Sequence, residues 1–305
     1  MDLHNTFEKI QRSLKSLYER LNEMSGGVLE IIRSTIERFS QERGAEAAAS
    51  LAYYAFFSIF PMLLVIIVVG SFFVDRNVVQ TQLLNLLQGV LPGAKDIVIE
   101  NIERVLELRG TVTFLALVSL TWSATNVFNL IAKNINRAFP SAQIPNFLKG
   151  RMLGFFMFLG LGLLMLLSFA ASAISGLIPV INIPFNDKAL HETFLWQVGA
   201  FMVPIFTNIL MFWAIYHWIP MVKVSRKASL IGAVIAGIAW ELLNNVFTWY
   251  LSSGLSTYRL VYGSVGTVVA LLFWIYITAI IILMGAHLTA SIHKAFQKKS
   301  VGAGE

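Results

Sequence analysis

The chain has 305 residues, of which 56% are apolar and only 13% charged. A soluble domain carries about 25% charged residues, so the composition predicts a polytopic, all-α membrane protein. The absence of cysteine excludes disulfides and thiolate chemistry. A net charge of +6 would suggest nucleic-acid binding in a soluble protein, but here the cationic residues are concentrated between hydrophobic spans.

Residues 1–46 form a polar, amphipathic region without the pattern of a cleavable signal peptide. Apolar residues such as Leu14 and Leu21 recur at helical spacing with basic residues between them, and a similar series resumes after Gly26-Gly27. Two interpretations are open. The helices lie on the cytoplasmic membrane surface, or they pack on the cytoplasmic end of a helical bundle.

Six hydrophobic stretches within residues 47–290 predict six transmembrane helices. The predicted spans are residues 47–73, 110–132, 152–178, 194–216, 229–251 and 264–287. Between the first two spans, residues 74–109 carry several acids and an amphipathic apolar series, which predicts a helical extracytoplasmic insertion. Residues 291–305 are predicted to form a basic cytoplasmic tail.

The distribution of Lys and Arg over the loops predicts the orientation of the chain. With six spans both termini lie on the same side, and placing them in the cytoplasm puts 17 of the 23 Lys and Arg residues inside. Each short loop then obeys the positive-inside rule separately. The sequence therefore predicts a multi-pass protein of the cytoplasmic membrane with both termini in the cytoplasm.

The predicted fifth span contains Glu241, the only Asp, Glu, Lys or Arg within any of the six spans. A carboxylate at this depth costs about 2.5–3.5 kcal/mol on insertion scales, so it should be paired, protonated or in contact with water. Asn245 and Thr248 follow at four and seven residues, which puts all three on one helix face. We expect this polar stripe to face the protein interior.

Polar residues on two other spans are candidates for lining the same cavity. Ser123, Asn126 and Asn129 share a face of the predicted second span, and Tyr54 lies on the first. One interpretation makes these residues and Glu241 a substrate or ion pathway, with Glu241 as a proton- or cation-sensitive site. The other makes them interhelical hydrogen bonds, with Glu241 tied to Asn126 or Asn129.

Sequence motifs for enzymatic chemistry are absent. There is no phosphate-binding glycine motif and no nucleophile elbow, and the histidines have no metal-ligand spacing. They are His4, His191, His217, His287 and His293. We therefore predict no catalytic residue, metal, cofactor or nucleic-acid partner; membrane lipids are the expected partners, and the oligomeric state is not indicated.

Three strings combine residues that hydrophobicity alone does not dictate. They are GAEAAASLAYYAFFSIFPMLLVI (Gly44–Ile66), LVSLTWSATNVFNLIAKNINRAF (Leu117–Phe139) and YGSVGTVVALLFWIYITAIIILMGAHLTA (Tyr262–Ala290). In these strings the chain resembles the YihY/BrkB family of bacterial inner-membrane proteins, although His287 replaces the family's usual Glu after Gly-Ala. The resemblance implies a six-helix protein of the inner membrane. Some members carry a ribonuclease BN label, against which the missing metal-ligand spacing argues.

Two functional hypotheses follow, neither of them enzymatic. The first is a transporter or translocase for an amphipathic, lipid-like or small solute substrate, moving through a cavity bounded by spans 1, 2, 5 and 6. The alternative is a non-transporting scaffold that organises envelope proteins through its amphipathic flanks. An intramembrane enzyme using Glu241 is less favoured because no second catalytic group is evident at the same depth.

Overall fold

The computed structural model describes residues 18–70, 114–143, 146–160, 163, 194–253 and 258–302. In these ranges the regular structure is helical: α1 (18–24), α2 (Val28–Gln41), α3 (Gly44–Gly70), α4 (Phe114–Arg137), α5 (147–160), α6 (Phe194–Trp218), α7 (Arg226–Ser252) and α8 (Tyr258–Gly302). The all-α prediction is confirmed for this part of the chain. The predicted insertion, most of the third span and residues 1–17 lie outside the described residues.

Helices α3 to α8 each overlap one predicted span, and several extend beyond it. Helix α4 runs to Arg137, five residues beyond the predicted end of the second span. Helix α8 continues through most of the predicted tail to Gly302. Its last part contains three lysines and no proline, so nothing in the sequence ends the helix at the close of the apolar stretch.

Helix α8 is the centre of the described bundle. It packs against α2, α3 and α7 and touches α4 and α6 more lightly, while α3 pairs with α4 and α6 pairs with α7. We define the basal core as the buried cluster where these pairs meet around α8. Its members include Ala48, Ala132, Ile135, Phe212, Tyr216, Ala233, Ala236, Leu283, Ala286 and Ala290.

Small residues bring α6, α7 and α8 close together in the basal core. A Cβ atom added at Gly232 of α7 would collide with the hydroxyl of Thr289 on α8, and one added at Gly285 would collide with the hydroxyl of Tyr216. Both hydroxyls are hydrogen bonded: Thr289 donates to the Gly285 carbonyl at 2.8 Å and Tyr216 to the Ile282 carbonyl at 3.0 Å. Close backbone approach of this kind is typical of helices that pack within membranes.

A buried asparagine on α4 fixes the turn between α6 and α7, which comprises residues 219–225. Asn136 is 0% exposed. Its amide nitrogen donates to the carbonyls of Ala132 at 2.8 Å and Ile219 at 3.2 Å, and its amide oxygen accepts from the Met221 N–H at 2.7 Å. One side chain thus supplies backbone partners that the irregular turn cannot supply for itself.

The amphipathic region packs on the bundle through one face of α2. The predicted break is confirmed at Gly26 and Gly27, whose φ angles are +65° and +92°. Beyond it, the Ser34 hydroxyl lies 3.4 Å from that of Ser291 on α8. This face of α2 therefore packs against α8, in agreement with the packing interpretation, while its position at the cytoplasmic end stays a prediction. The opposite face exposes the apolar side chains of Val28, Ile32 and Ile36, and its contact with a membrane surface stays a prediction.

Two described helices contain segments long and apolar enough to cross a membrane, Arg226–Leu251 in α7 and Val268–Lys298 in α8. The outward face of α7 carries large apolar side chains along most of its length. They are Leu230, Ile231, Ile235, Ile238, Leu242 and Val246. Such a face is compatible with a hydrocarbon environment.

Candidate functional site

Glu241 lies half-buried on α7, beside α6. The amide nitrogen of Asn208 donates to one carboxylate oxygen at 3.5 Å, and that of Asn245 donates to the other at 3.4 Å. Asn245 makes a shorter bond, 2.8 Å, to the backbone carbonyl of Glu241. Because strong N–H···O bonds cluster near 2.9 Å, the two amides hold this carboxylate loosely.

The α6–α7 hairpin explains why Asn208 reaches Glu241. The two helices are consecutive and joined by only seven residues, 219–225, so they pack against each other. Gly237, one turn before Glu241, allows a close approach: an added Cβ atom would lie 3.0 Å from the Ile209 side chain. The neighbouring Asn208 is thereby brought to the carboxylate.

Among the described residues, the polar stripe on α7 does not face the interior of the bundle as the sequence predicted. Asn245 and Thr248 are exposed, and only Glu241 is half-buried. The buried seam of α7 instead includes Ala236 and Phe247. The residues of the stripe follow those of the buried seam by one position, as Thr248 follows Phe247. One position corresponds to a rotation of about 100° around the helix axis. The stripe therefore runs along the outer flank of the part of the bundle that the structure describes.

The partner expected for Glu241 is also different. The hydrogen-bonded interpretation expected Asn126 or Asn129 on α4, whereas Asn208 on α6 holds that position. The reason is topological, since α4 packs chiefly against α3 while α7 packs against α6 and α8. The half-buried Asn129 contributes to a different contact, because its backbone nitrogen meets Gly154 of α5.

The structure therefore divides the seven candidate residues into two groups. Glu241, Asn245 and Thr248 lie on α7, and the other four lie on the α3–α4 pair across α8. On that pair, Tyr54 and Ser123 are exposed. Tyr54 contacts Tyr53 edge to face, with ring centroids 5.5 Å apart. A single pathway lined by all seven is not assembled within the described residues.

The described histidines have separate surroundings. The His217 ring stacks on Trp213 at 5.3 Å, and the Nδ1 atom of His293 accepts the Ser225 N–H at 3.3 Å. His287 is buried on α8. Within the described ranges, no group of three or more His, Cys, Asp or Glu residues could hold a metal ion.

Arg151 directly precedes the predicted third span and was therefore counted among the Lys and Arg residues of a cytoplasmic loop, but its side chain contacts α4. Its guanidinium lies 4.2 Å from the centroid of the Trp122 ring and donates to the Trp122 carbonyl at 3.1 Å. Trp122 precedes the end of α4 at Arg137 by fifteen residues, which corresponds to about 22 Å along a helix. An arginine counted with the cytoplasmic loop is thus attached to the middle of α4 by a cation–π contact.

Sequence reasoning missed Asn208 and Asn136 as bonding partners. Asn208 had a usable signal, because polar residues in two consecutive spans of a helical hairpin are natural partners within a membrane. Asn136 had none, since its partners across the bundle are backbone groups of Ile219 and Met221.

Comparison with known proteins agrees with the membrane character of α7 and α8. The chain is similar to a putative ribonuclease-like protein, YfkH of Bacillus subtilis, with 22% identity over 268 residues that cover 87% of this chain and 96% of that protein. It is also similar to a UPF0761 membrane protein of Haemophilus influenzae, with 28% identity over 257 residues that cover 84% and 92% of the two chains. No solved structure matches the sequence.

The family predicted from the three sequence strings is confirmed. Residues 35–305 match the family model described as virulence factor BrkB, which is most of the chain. Together with the relatives named as membrane proteins and the two apolar helices, this match identifies the protein as a membrane protein. The chain belongs to the virulence factor BrkB family.

Proposed function

We propose that the protein is a translocase of the cytoplasmic membrane, with six spans and cytoplasmic termini, that moves an amphipathic, lipid-like or small solute substrate. The observation that supports this proposal is the loosely held carboxylate of Glu241 beside the exposed Asn245 and Thr248 on an otherwise apolar helix. The proposal assigns no catalysed reaction to the chain. The description "ribonuclease-like" is that of the relative YfkH and is not carried over to this chain.

The outward direction of the stripe favours a substrate with a polar head and an apolar tail. An amide and a hydroxyl exposed to hydrocarbon are costly unless water or polar groups reach them. Leu242 and Val246, which flank Asn245 in sequence, are exposed and apolar. A polar head can follow the stripe while an acyl chain remains in contact with these side chains or with lipid.

Glu241 is the proposed coupling site because its protonation changes the contact between α6 and α7. When ionised, the carboxylate accepts from Asn208 and Asn245. Hydrogen bonds to an ionised group are roughly twice as strong as neutral ones, so protonation weakens the connection to Asn208. Proton binding then gives α6 and α7 freedom to shift at the level of Glu241, where a substrate following the stripe would meet the acid.

Reconstitution tests the proposal. Wild type and Glu241→Gln are placed in vesicles of phosphatidylethanolamine and phosphatidylglycerol, and the movement of labelled phospholipid and of protons is followed. We expect Glu241→Gln to lower movement at least tenfold while leaving the melting temperature unchanged. Glu37→Gln is the matched control, because Glu37 forms an exposed ion pair with Arg33 on α2, and it should behave as wild type.

The alternative is the non-transporting scaffold. It is favoured by the two asparagine side chains that cap Glu241, an arrangement that also suits a purely structural acid. If no protein in the assay moves lipid or protons and Glu241→Gln lowers the melting temperature, Glu241 is a structural link between α6 and α7. The stripe would then be a contact surface for another envelope protein.

A further inference from the structure

Four side chains on α7 and α8 carry buried polar atoms without hydrogen-bond partners among the described residues; one is His287, whose Nδ1 lies at the basal level, and the other three lie near Glu241. These three atoms are the amide oxygen of Asn244, the indole nitrogen of Trp274 and the hydroxyl of Thr278. Trp274 is only 3% exposed. A buried polar group without a partner is destabilising, and such groups are uncommon in folded proteins.

The register of the two helices brings these atoms to one level. Ala236 of α7 meets Gly285 of α8, and Phe247 contacts Trp274 with ring centroids 6.5 Å apart. The interval from Ala236 to Phe247 is eleven residues, and so is the interval from Gly285 back to Trp274. This is expected for two antiparallel helices, because both have the same rise per residue. By the same count Asn244 lies opposite residue 277, beside Thr278 and one turn from Trp274.

The three groups complement a water molecule. An indole N–H can only donate, a hydroxyl can donate, and an amide oxygen accepts. Buried waters in proteins make about three hydrogen bonds to otherwise unsatisfied groups, which equals the number supplied here. All three groups are uncharged, so they favour a neutral ligand of this size over an ion.

We propose that Asn244, Trp274 and Thr278 bind a water molecule between α7 and α8, and that this water gives protons access to Glu241. Asn244 is three residues from Glu241, so their Cβ atoms are about 5–6 Å apart on the helix surface. Asn245 and the outer stripe lie on the other side of Glu241. The acid thus lies between an internal hydration site and the proposed substrate path, and the proton-access part of this inference rests on the proposed function.

Thr278→Val tests the hydration site by the sign of its effect on stability. If the hydroxyl bonds to water, its removal should lower the melting temperature by about 2–4 °C. If the hydroxyl has no partner, the same change removes an unsatisfied group and should raise the melting temperature. Thr278→Ser keeps the hydroxyl and should retain at least half of the wild-type proton movement. A higher melting temperature for Thr278→Val would overturn the proposal.

Exchange of the Trp274 indole hydrogen tests the same site without transport. Protein labelled with 5-fluorotryptophan is transferred to deuterated water, and its ¹⁹F signals are followed, with Trp274→Phe identifying the signal. We expect exchange within minutes despite burial, and at least tenfold slower exchange in Asn244→Leu. Protection of the wild-type signal for hours would show a dry site and overturn the proposal.

Proton movement in vesicles connects the site to Glu241. Thr278→Val should lower it at least fivefold. The matched control is Thr125→Val on α4, because the Thr125 hydroxyl donates to Trp122 of its own helix at 3.0 Å. Wild-type proton movement in Thr278→Val would overturn the access route. Rapid indole exchange in a protein that moves neither protons nor labelled phospholipid would leave the water site standing and refute the proposed function.

Discussion

The basal core and the surroundings of Glu241 satisfy their polar groups in different ways. In the basal region, Asn136 is fully buried and makes bonds of 2.7–3.2 Å, and Tyr216 donates to Ile282 at 3.0 Å. The exception there is the buried His287, whose Nδ1 has no partner among the described residues. Around Glu241, the carboxylate bonds are 3.4 and 3.5 Å long and the acid is half-buried. One turn further along α7, Asn244 has an unsatisfied amide oxygen.

This difference indicates that the basal core keeps a fixed packing, whereas the packing around Glu241 can change. Fully satisfied buried networks make a core rigid and specify a single packing, because every alternative loses hydrogen bonds. Long hydrogen bonds and unsatisfied groups contribute little free energy, so a helix shift or a bound ligand disrupts little at this level. Since α8 runs through both regions, the basal core can hold α6, α7 and α8 together while the level of Glu241 adjusts.

The largest effect is expected for Asn136→Leu in the basal region. The change leaves the Ile219 carbonyl and the Met221 N–H without their partner and should lower the free energy of unfolding by about 2–4 kcal/mol. The measurement is denaturant unfolding in detergent. Asn134→Ala is the control, since the Asn134 amide donates to Leu130 of its own helix. Equal effects of the two changes would contradict the role given to Asn136.

Gly232→Ala should have an intermediate effect. The new methyl group meets the Thr289 hydroxyl, and overpacking of this kind costs about 1–3 kcal/mol. In a double-mutant cycle, Thr289→Ala should relieve most of the cost. Gly160→Ala on α5 is the matched control, because, apart from its neighbours in the helix, no described residue lies within 4 Å of a Cβ atom added there. A Gly232→Ala variant as stable as wild type would show that α7 and α8 are not tightly packed at this point.

The sequence predicted the helices and the family but not the direction of each helix face. Periodicity correctly placed Glu241, Asn245 and Thr248 on one stripe. It could not orient the stripe, because lipid-facing and protein-facing surfaces of a membrane helix are about equally apolar. The hydrophobic pattern therefore does not show which face of a membrane helix packs against the rest of the protein. Small residues such as Ala236 and Gly232 were the better guide, since they mark where backbones approach.

The smallest effect on stability is expected at Glu241. Glu241→Gln keeps the shape of the side chain and exchanges two long bonds for neutral ones, so the free energy of unfolding should change by less than about 0.5 kcal/mol. Tyr216→Phe provides the matched comparison, because it removes one 3.0 Å bond in the basal core and should cost about 1 kcal/mol. Both are measured by the same unfolding titration. If Glu241→Gln proves the more costly of the two, the contrast between the regions fails, because the acid is then a structural bond between α6 and α7.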